Sequence, residues 1–228
     1  LSRPAHASNE GDNVLEQQSH VQRADARRNR QKVLDAATDL FAEQGLSVHV
    51  DDIAKRAGVG VATLFRNFPT KEALIEAVVA DMQQDLLDDV HAALAEPDPG
   101  EAFKAFVNRV AKLRSRHRVL AEKMATELGP HIVDSPVEDQ LRAAIERLVE
   151  RAQAAGAIRG DVGPADVAML LAGIIGAAAI ADDIEPTIRD RYIAIMWDGL
   201  CTPNPTPLPG RPPDLAELFA HKHRVSDC

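Results

Sequence analysis

The chain has 228 residues, room for one large domain or for a small domain plus a medium one, and enough to bury a core without disulfide or metal staples. Acidic residues outnumber basic ones, 35 to 26, for a formal charge of -9. Taken alone, that opposes a nucleic-acid partner, because phosphate binding needs local positive charge. Two cysteines, Cys201 and Cys228, exclude a disulfide framework and point to a reducing compartment. Aromatics make up only 4% of the chain against 45% hydrophobic residues, so the core is built from Ala, Leu, Val and Ile, a mixture that favours helix. No cleavable signal precedes Lys32. The longest apolar run, Val167 to Ala181, falls short of the roughly 20 residues that span a bilayer. A cytoplasmic protein with no membrane partner is expected.

Residues 1–22 are polar and without periodicity, and are read as a disordered tail. From Asp25 the pattern is helical, with Val33, Leu34, Ala37, Leu40 and Phe41 on one face and a stop at Gly45. A short segment from Asp51 ends at Gly58, and a second from Val61 ends before Pro69. A long helix follows from Thr70, its N-cap, until Pro97-Asp98-Pro99-Gly100 breaks it. Phe103 to Leu113 is a further helix, and Val119 to Leu128 a shorter one. Ser135-Pro136 opens the next as N-cap and first-turn proline. After the turn Gly160 to Pro164 comes the most apolar helix, ending at Asp182-Asp183, and Glu185-Pro186 opens the last. Six of the 14 prolines crowd into Thr202 to Pro213, an extended linker. With no hairpin or βαβ signal, the fold class is all-α.

Asp51 to Phe68 is the informative stretch. Two short helices joined by Ala57-Gly58-Val59-Gly60 form a tight turn. Ile53, Ala54, Ala57, Leu64 and Phe68 would face the first long helix, leaving Val61, Ala62, Thr63, Phe65, Arg66 and Asn67 outside. A small exposed helix of this kind can enter a DNA major groove about 12 Å wide. The surrounding residues run Arg30-x-x-Val33-Leu34-x-Ala36-Ala37-x-x-Leu40-Phe41-x-x-x-Gly45, then Val50-Asp51-Asp52-Ile53-Ala54-x-x-Ala57-Gly58-Val59, then Ala62-Thr63-Leu64-Phe65-x-x-Phe68-x-x-Lys71-x-x-Leu74. This pattern resembles the TetR family of bacterial transcriptional regulators. A weaker likeness covers Gly156-x-Ile158-Arg159-x-Asp161-Val162-x-Pro164-x-Asp166.

The resemblance implies a three-helix, homeodomain-like helix-turn-helix domain over 23–70. A helical ligand-binding and dimerisation domain over 71–201 and a proline-rich tail over 202–228 would follow. It implies that Gly60, Val61, Ala62, Thr63, Phe65 and Arg66 belong to the recognition helix. Lys71 would contact a phosphate beside a helix N-terminus. Asn67, His49 and Val50 would lie near the DNA backbone. Arg23, Arg27, Arg28 and Arg30 would reach phosphates or the neighbouring minor groove. The chain departs from the family pattern at three positions: His49 stands where threonine is usual, Gly60 where serine is, and Phe65 where tyrosine is. Each change removes a hydroxyl, although His49 can still donate and its charge would make DNA affinity mildly pH-dependent. Base readout through hydrogen bonds therefore falls mainly on Arg66 and Thr63.

A helix as apolar all round as Val167 to Ala181 must be covered on every side. A second copy of the chain is the economical cover, with Ala172, Gly173, Gly176 and Ala177 allowing close approach. The resemblance implies pairing of the last two long helices, so Met169 and Ile180 are interface candidates beside those four, and Tyr192, Ile193, Met196 and Trp197 are interface or core members. Two-fold symmetry would match a palindromic operator of double-stranded DNA. It also implies an unknown small-molecule effector in the C-terminal domain, with Phe103, Phe106, His117, Met124, His131 and Met169 as lining candidates, each equally consistent with ordinary packing. No cofactor and no metal site is expected. His221, His223 and Cys228 sit on the tail, and no grouping has the setting of a catalytic nucleophile.

The expected function is a homodimeric, ligand-responsive repressor rather than an enzyme. The rival is an architectural DNA-binding protein without ligand response, which would bind all duplexes alike. Charge by segment removes the opening objection. Residues 21–72 hold nine Lys or Arg against seven Asp or Glu, so the acidity belongs to the body and tail.

Overall fold

The computed structural model describes residues 9–116, 136–181 and 187–214, with eight helices and no strand among them. They are α1 (Asn9–Gln44), α2 (Val50–Ala57), α3 (Val61–Asn67), α4 (Lys71–Ala95), α5 (Pro99–Arg116), α6 (Pro136–Ala154), α7 (Pro164–Ala181) and α8 (Ile188–Leu200). The helix expected over Val119 to Leu128 lies outside the described residues. The chain divides into two compact units, a head ending at Val78 and a body from Val79 onward.

α1 corrects the expectation of a disordered tail, because it begins at Asn9 instead of Asp25. Starting a helix is costly but extending one is cheap, and no proline interrupts the chain between Ala5 and Phe68. A polar segment without an apolar face can therefore continue a helix that is anchored further along.

The anchor is the face Val33, Leu34, Ala37, Leu40 and Phe41, fully buried in the head. Gly45, at a φ of 81°, ends α1 and donates to the Phe41 carbonyl at 2.9 Å. Gly58 ends α2 at a φ of 67°. Its N–H donates to the Lys55 carbonyl at 3.2 Å, and Val59 N–H to the Ala54 carbonyl at 3.0 Å. Those paired bonds require a left-handed residue, which is why glycine stands there. Thr70 caps α4 as expected, its Oγ1 accepting from Ala73 N–H at 3.1 Å. The head does not stop at residue 70, however. Buried Leu74, Ile75 and Val78 keep the start of α4 in the head, and the boundary falls inside that helix.

In the body, Asp98 Oδ1 accepts from Gly100 N–H at 2.8 Å and Glu101 N–H at 3.0 Å, capping α5 with Pro99 in its first turn. The core joins Leu87 and Val90 of α4, Phe103 and Val107 of α5, Leu148 of α6, Leu171 of α7 and Met196 of α8. Arg151 of α6 spans the end of α4. It donates to the carbonyls of Leu94 at 2.8 Å and Pro97 at 3.2 Å, and also to that of Glu96. One planar guanidinium thus answers several carbonyls that a helix end leaves unpaired.

The proline-rich segment after α8, expected as an extended linker, is neither helix nor strand over residues 201–214, and it is tied down. Arg159 and Asp161 form a two-pronged ion pair, Nε to Oδ1 at 2.5 Å and Nη2 to Oδ2 at 2.9 Å. Arg159 Nη2 also donates to the Thr206 carbonyl at 2.6 Å, and Leu208 N–H donates to Asp161 Oδ2 at 3.1 Å. Both donors hold the Asp161 carboxyl well below the usual carboxylate range, the Arg159 bond foremost. A depressed pKa stabilises the folded form at pH values above the ordinary carboxylate pKa of about 4, and the contribution fades as the carboxylate is protonated in stronger acid.

Two outcomes follow from these contacts. Asp161→Asn should speed amide hydrogen exchange at Leu208 at neutral pH, whereas the unmodified protein should keep that amide protected until well below pH 4. Arg151→Ala should lower stability in urea unfolding by about 1–3 kcal/mol, with Arg151→Lys recovering only part of the loss.

Candidate functional site

The α2–turn–α3 unit presents one helix to solvent. Leu64 is buried, and with Phe68 just beyond the helix it fixes which way α3 faces. Outward stand Val61, Ala62, Phe65 (42% exposed) and Arg66, with Thr63 and Asn67 half-buried at the edges. Arg66 Nη2 donates to Thr63 Oγ1 at 3.1 Å, so the two side chains singled out for base readout are bonded to each other. Asn67 Nδ2 donates to the Thr63 carbonyl at 2.8 Å, which directs it to its own helix.

Gly60 occupies the N-cap of α3 at a φ of -71°, an ordinary conformation. A Cβ there would meet nothing closer than Thr63 Oγ1 at 4.0 Å. Neither strain nor crowding demands glycine at that position. His49, exposed at the N-cap of α2, makes no side-chain cap bond, and Val50 behind it is half-buried. Lys71 is the first residue of α4, next to the Thr70 cap.

The basic residues of α1 are differently employed. Arg28 pairs with Asp25, and Arg27 is exposed. Arg30 lies over the Phe68 ring, 5.2 Å from its centroid, a cation–π contact that braces the far end of α3. Arg56 joins α2 to α1 by pairing with Glu43 at 3.1 Å. The side chain of Arg23 lies outside the described residues.

In the body, a cavity of about 70 Å³ opens between helices. Its wall includes Leu86 of α4, Phe103 and Phe106 of α5, Ile145 of α6, and Val167 and Leu171 of α7. Phe103 and Phe106 were expected there. Met169 was too, but it corrects that expectation, pointing away from the core at 49% exposure. His117, Met124 and His131 lie outside the described residues. Leu86, Ile145, Val167 and Leu171 escaped sequence reasoning, because an inward apolar residue looks the same whether it meets a neighbour or a cavity.

α7 and α8 pack side by side. α7 turns Val167, Leu171, Ile175 and Ala178 inward. It exposes Met169, Leu170, Ala172, Gly173, Gly176 and Ala177. α8 exposes Tyr192 and Ile195 (55%) on its outer side. Ile193, Met196 and Trp197 were expected at the interface or in the core. They are buried in the core of their own chain, with Trp197 edge-on to Phe103 at 5.7 Å. Spacings of three and four residues carry 193, 196, 197 and 200 to one side of the helix. The side chain of Ile180 lies outside the described residues. Among the described residues no group of three His, Cys, Asp or Glu is placed to hold a metal ion, and no helix is long and apolar enough to cross a membrane.

Residues 33–78 match the family described as bacterial regulatory proteins, tetR family, and residues 98–202 match the transcriptional regulator SbtR-like C-terminal domain. The structure of a TetR transcription regulatory protein from Mycobacterium vanbaalenii is 34% identical, with a TM-score of 0.63, over 78% of this chain and 98% of that one. A TetR transcriptional regulator from Streptomyces coelicolor is also 34% identical, with a TM-score of 0.59, over 78% and 99% of the two chains. An HTH-type transcriptional regulator of Staphylococcus aureus is 35% identical over 85 residues, 36% of this chain and 44% of that protein's length. With α3 presented to solvent in the head and a chain that matches nearly the full length of solved relatives, the protein belongs to the TetR family of DNA-binding transcriptional regulators.

Proposed function

We propose that this regulator acts as a cytoplasmic homodimeric repressor, binds a palindromic operator in double-stranded DNA, and is released by a small-molecule effector held in the body. The observation that carries the reading is the outward apolar face of α7 and α8. Met169 and Leu170 stand exposed beside Ala172, Gly173, Gly176 and Ala177 on α7, and Tyr192 and Ile195 stand exposed on α8. Apolar surface of this kind is stabilised by covering it, and a two-fold axis through it lets each copy cover the other. The same symmetry presents two α3 helices to two half-sites.

In this reading Arg66 and Thr63 contact base edges, while Val61, Ala62 and Phe65 offer apolar contact such as to a thymine methyl. Lys71, Arg27, Arg28 and His49 contact phosphates, with Arg23, Val50, Gly60 and Asn67 close to the backbone. Arg30 positions α3 through Phe68 while lying toward the DNA. α4 starts at Lys71 in the head and carries Leu86 into the cavity wall, so one helix links operator contact with effector contact. Whatever free energy the effector takes from DNA binding, DNA takes from effector binding.

Selection of duplexes from a random pool, followed by titration at fixed salt, tests the reading: a two-fold symmetric site should emerge and outcompete scrambled DNA. Equal affinity for all duplexes would overturn it. Arg66→Ala should cost about 1–3 kcal/mol on the selected site and relax specificity there. Equal loss on scrambled DNA would make Arg66 a phosphate contact only. Within one chain, a Cβ at Gly173 or Gly176 meets nothing within 4 Å. Gly173→Leu with Gly176→Leu should therefore leave the fold intact, shift sedimentation toward the monomer, and weaken operator binding at least tenfold.

A further inference from the structure

Among the described residues of the head, Val61 (38% exposed) and Phe65 (42% exposed) are the large apolar side chains left open to solvent. Both belong to α3, four positions apart, and so stand on one side of it, with exposed Ala62 beside them. Thr63, Arg66 and Asn67 lie along the other flank. There Arg66 Nη2 donates to Thr63 Oγ1 at 3.1 Å, and Asn67 Nδ2 to the Thr63 carbonyl at 2.8 Å. The outward surface of α3 is thus divided lengthwise into an apolar strip and a hydrogen-bonding strip.

In the proposed complex, with α3 in the major groove, the apolar strip meets the one apolar group displayed there, the C5-methyl of a pyrimidine. Base edges otherwise offer donors and acceptors, which Val, Ala and Phe can neither answer nor tell apart. Covering those groups with apolar side chains strips their water without return, whereas a methyl group gains from the same cover. Thymine carries this methyl, and so does 5-methylcytosine, in which an exocyclic amine stands where thymine has O4. Uracil and cytosine lack it.

We infer that Val61, Ala62 and Phe65 recognise the C5-methyl group itself, so that the regulator takes 5-methylcytosine in place of thymine and discriminates against both unmethylated pyrimidines. This rests on the reading of α3 as the recognition helix and adds the chemical group that it reads. Hydrogen-bonded base identity falls to Arg66 and Thr63, while the apolar strip responds to methylation. A site with cytosine opposite the strip becomes a better site once that cytosine is methylated at C5.

The test starts from the duplex that random-pool selection yields. Each thymine is replaced singly by uracil, by 5-methylcytosine and by cytosine, the last two paired with guanine, and every duplex is titrated with the full-length protein at fixed salt. In each half-site at least one uracil should weaken binding about fourfold, the worth of one buried methyl, and 5-methylcytosine there should bind about fourfold tighter than cytosine. Uracil within about twofold of thymine at every position, or equal binding of cytosine and 5-methylcytosine, would overturn the inference while leaving operator binding in place. A pool that yields no preferred duplex removes both. Val61→Ala with Phe65→Ala should bring the thymine-to-uracil ratio close to one, whereas Arg66→Ala should weaken binding and keep that ratio. A ratio that survives the double variant would trace to the deformability of the DNA and also overturn the inference. If the double variant loses its helical circular dichroism, Val61→Thr takes its place, keeping the shape while exchanging a methyl for a hydroxyl, and the ratio should again fall.

Discussion

A helix of 25 residues leaves unpaired amides at one end and unpaired carbonyls at the other, and α4 has both ends answered by side chains. Thr70 accepts from the first turn, and Arg151 donates to the carbonyls where the helix runs out. The first of these sits beside Lys71 in the head. The second projects from α6, which also contributes Ile145 and Val149 to the cavity wall. Both ends of α4 are thereby held helical within their own units.

The head shows how few interactions are needed to aim a seven-residue helix. α3 is too short to be stable by itself. Its orientation comes from Leu64 and Phe68 beneath it, from the reversal at Gly58, and from Arg30 stacked on Phe68. Its own surface is then left for contact with something other than the protein. The hydrogen bond from Arg66 to Thr63 keeps a long, flexible side chain in one region, so less rotamer entropy would remain to be lost in the proposed contact with DNA.

Much of this was legible in the sequence because it is local. Gly45, Gly58, Thr70 and the Pro97–Gly100 break act within one turn of themselves, and the buried face of α1 repeats at helical spacing. Three features were not legible, for different reasons. The start of α1 depends on propagation from a distant anchor, which no residue between 9 and 22 advertises. In α8 the residues at 192, 193, 195, 196 and 197 are all apolar, so the sequence leaves the phase of the helix open and only packing settles that Ile193, Met196 and Trp197 turn inward. The contacts of Arg159 and Asp161 with Thr206 and Leu208 join groups 47 residues apart, beyond any periodicity. The candidate site divided along the same line: the exposed face of α3 could be read from spacing, whereas the cavity wall could not be told from ordinary core.

The small residues on the outer face of α7 have a consequence for the company the protein keeps. Where two helices meet through glycine and alanine, their backbones approach closely, and the fit depends on the shape of the main chain more than on any one side chain. A relative with the same fold but larger residues at those positions would hold its helix too far away for the flanking Met169, Leu170 and Ile195 to meet a surface. In the proposed homodimer such a face would discriminate by exclusion. In a cell that makes several regulators of one architecture, it would keep the subunits of each sorted with their own kind, so that two different operators are not bridged by a mixed pair.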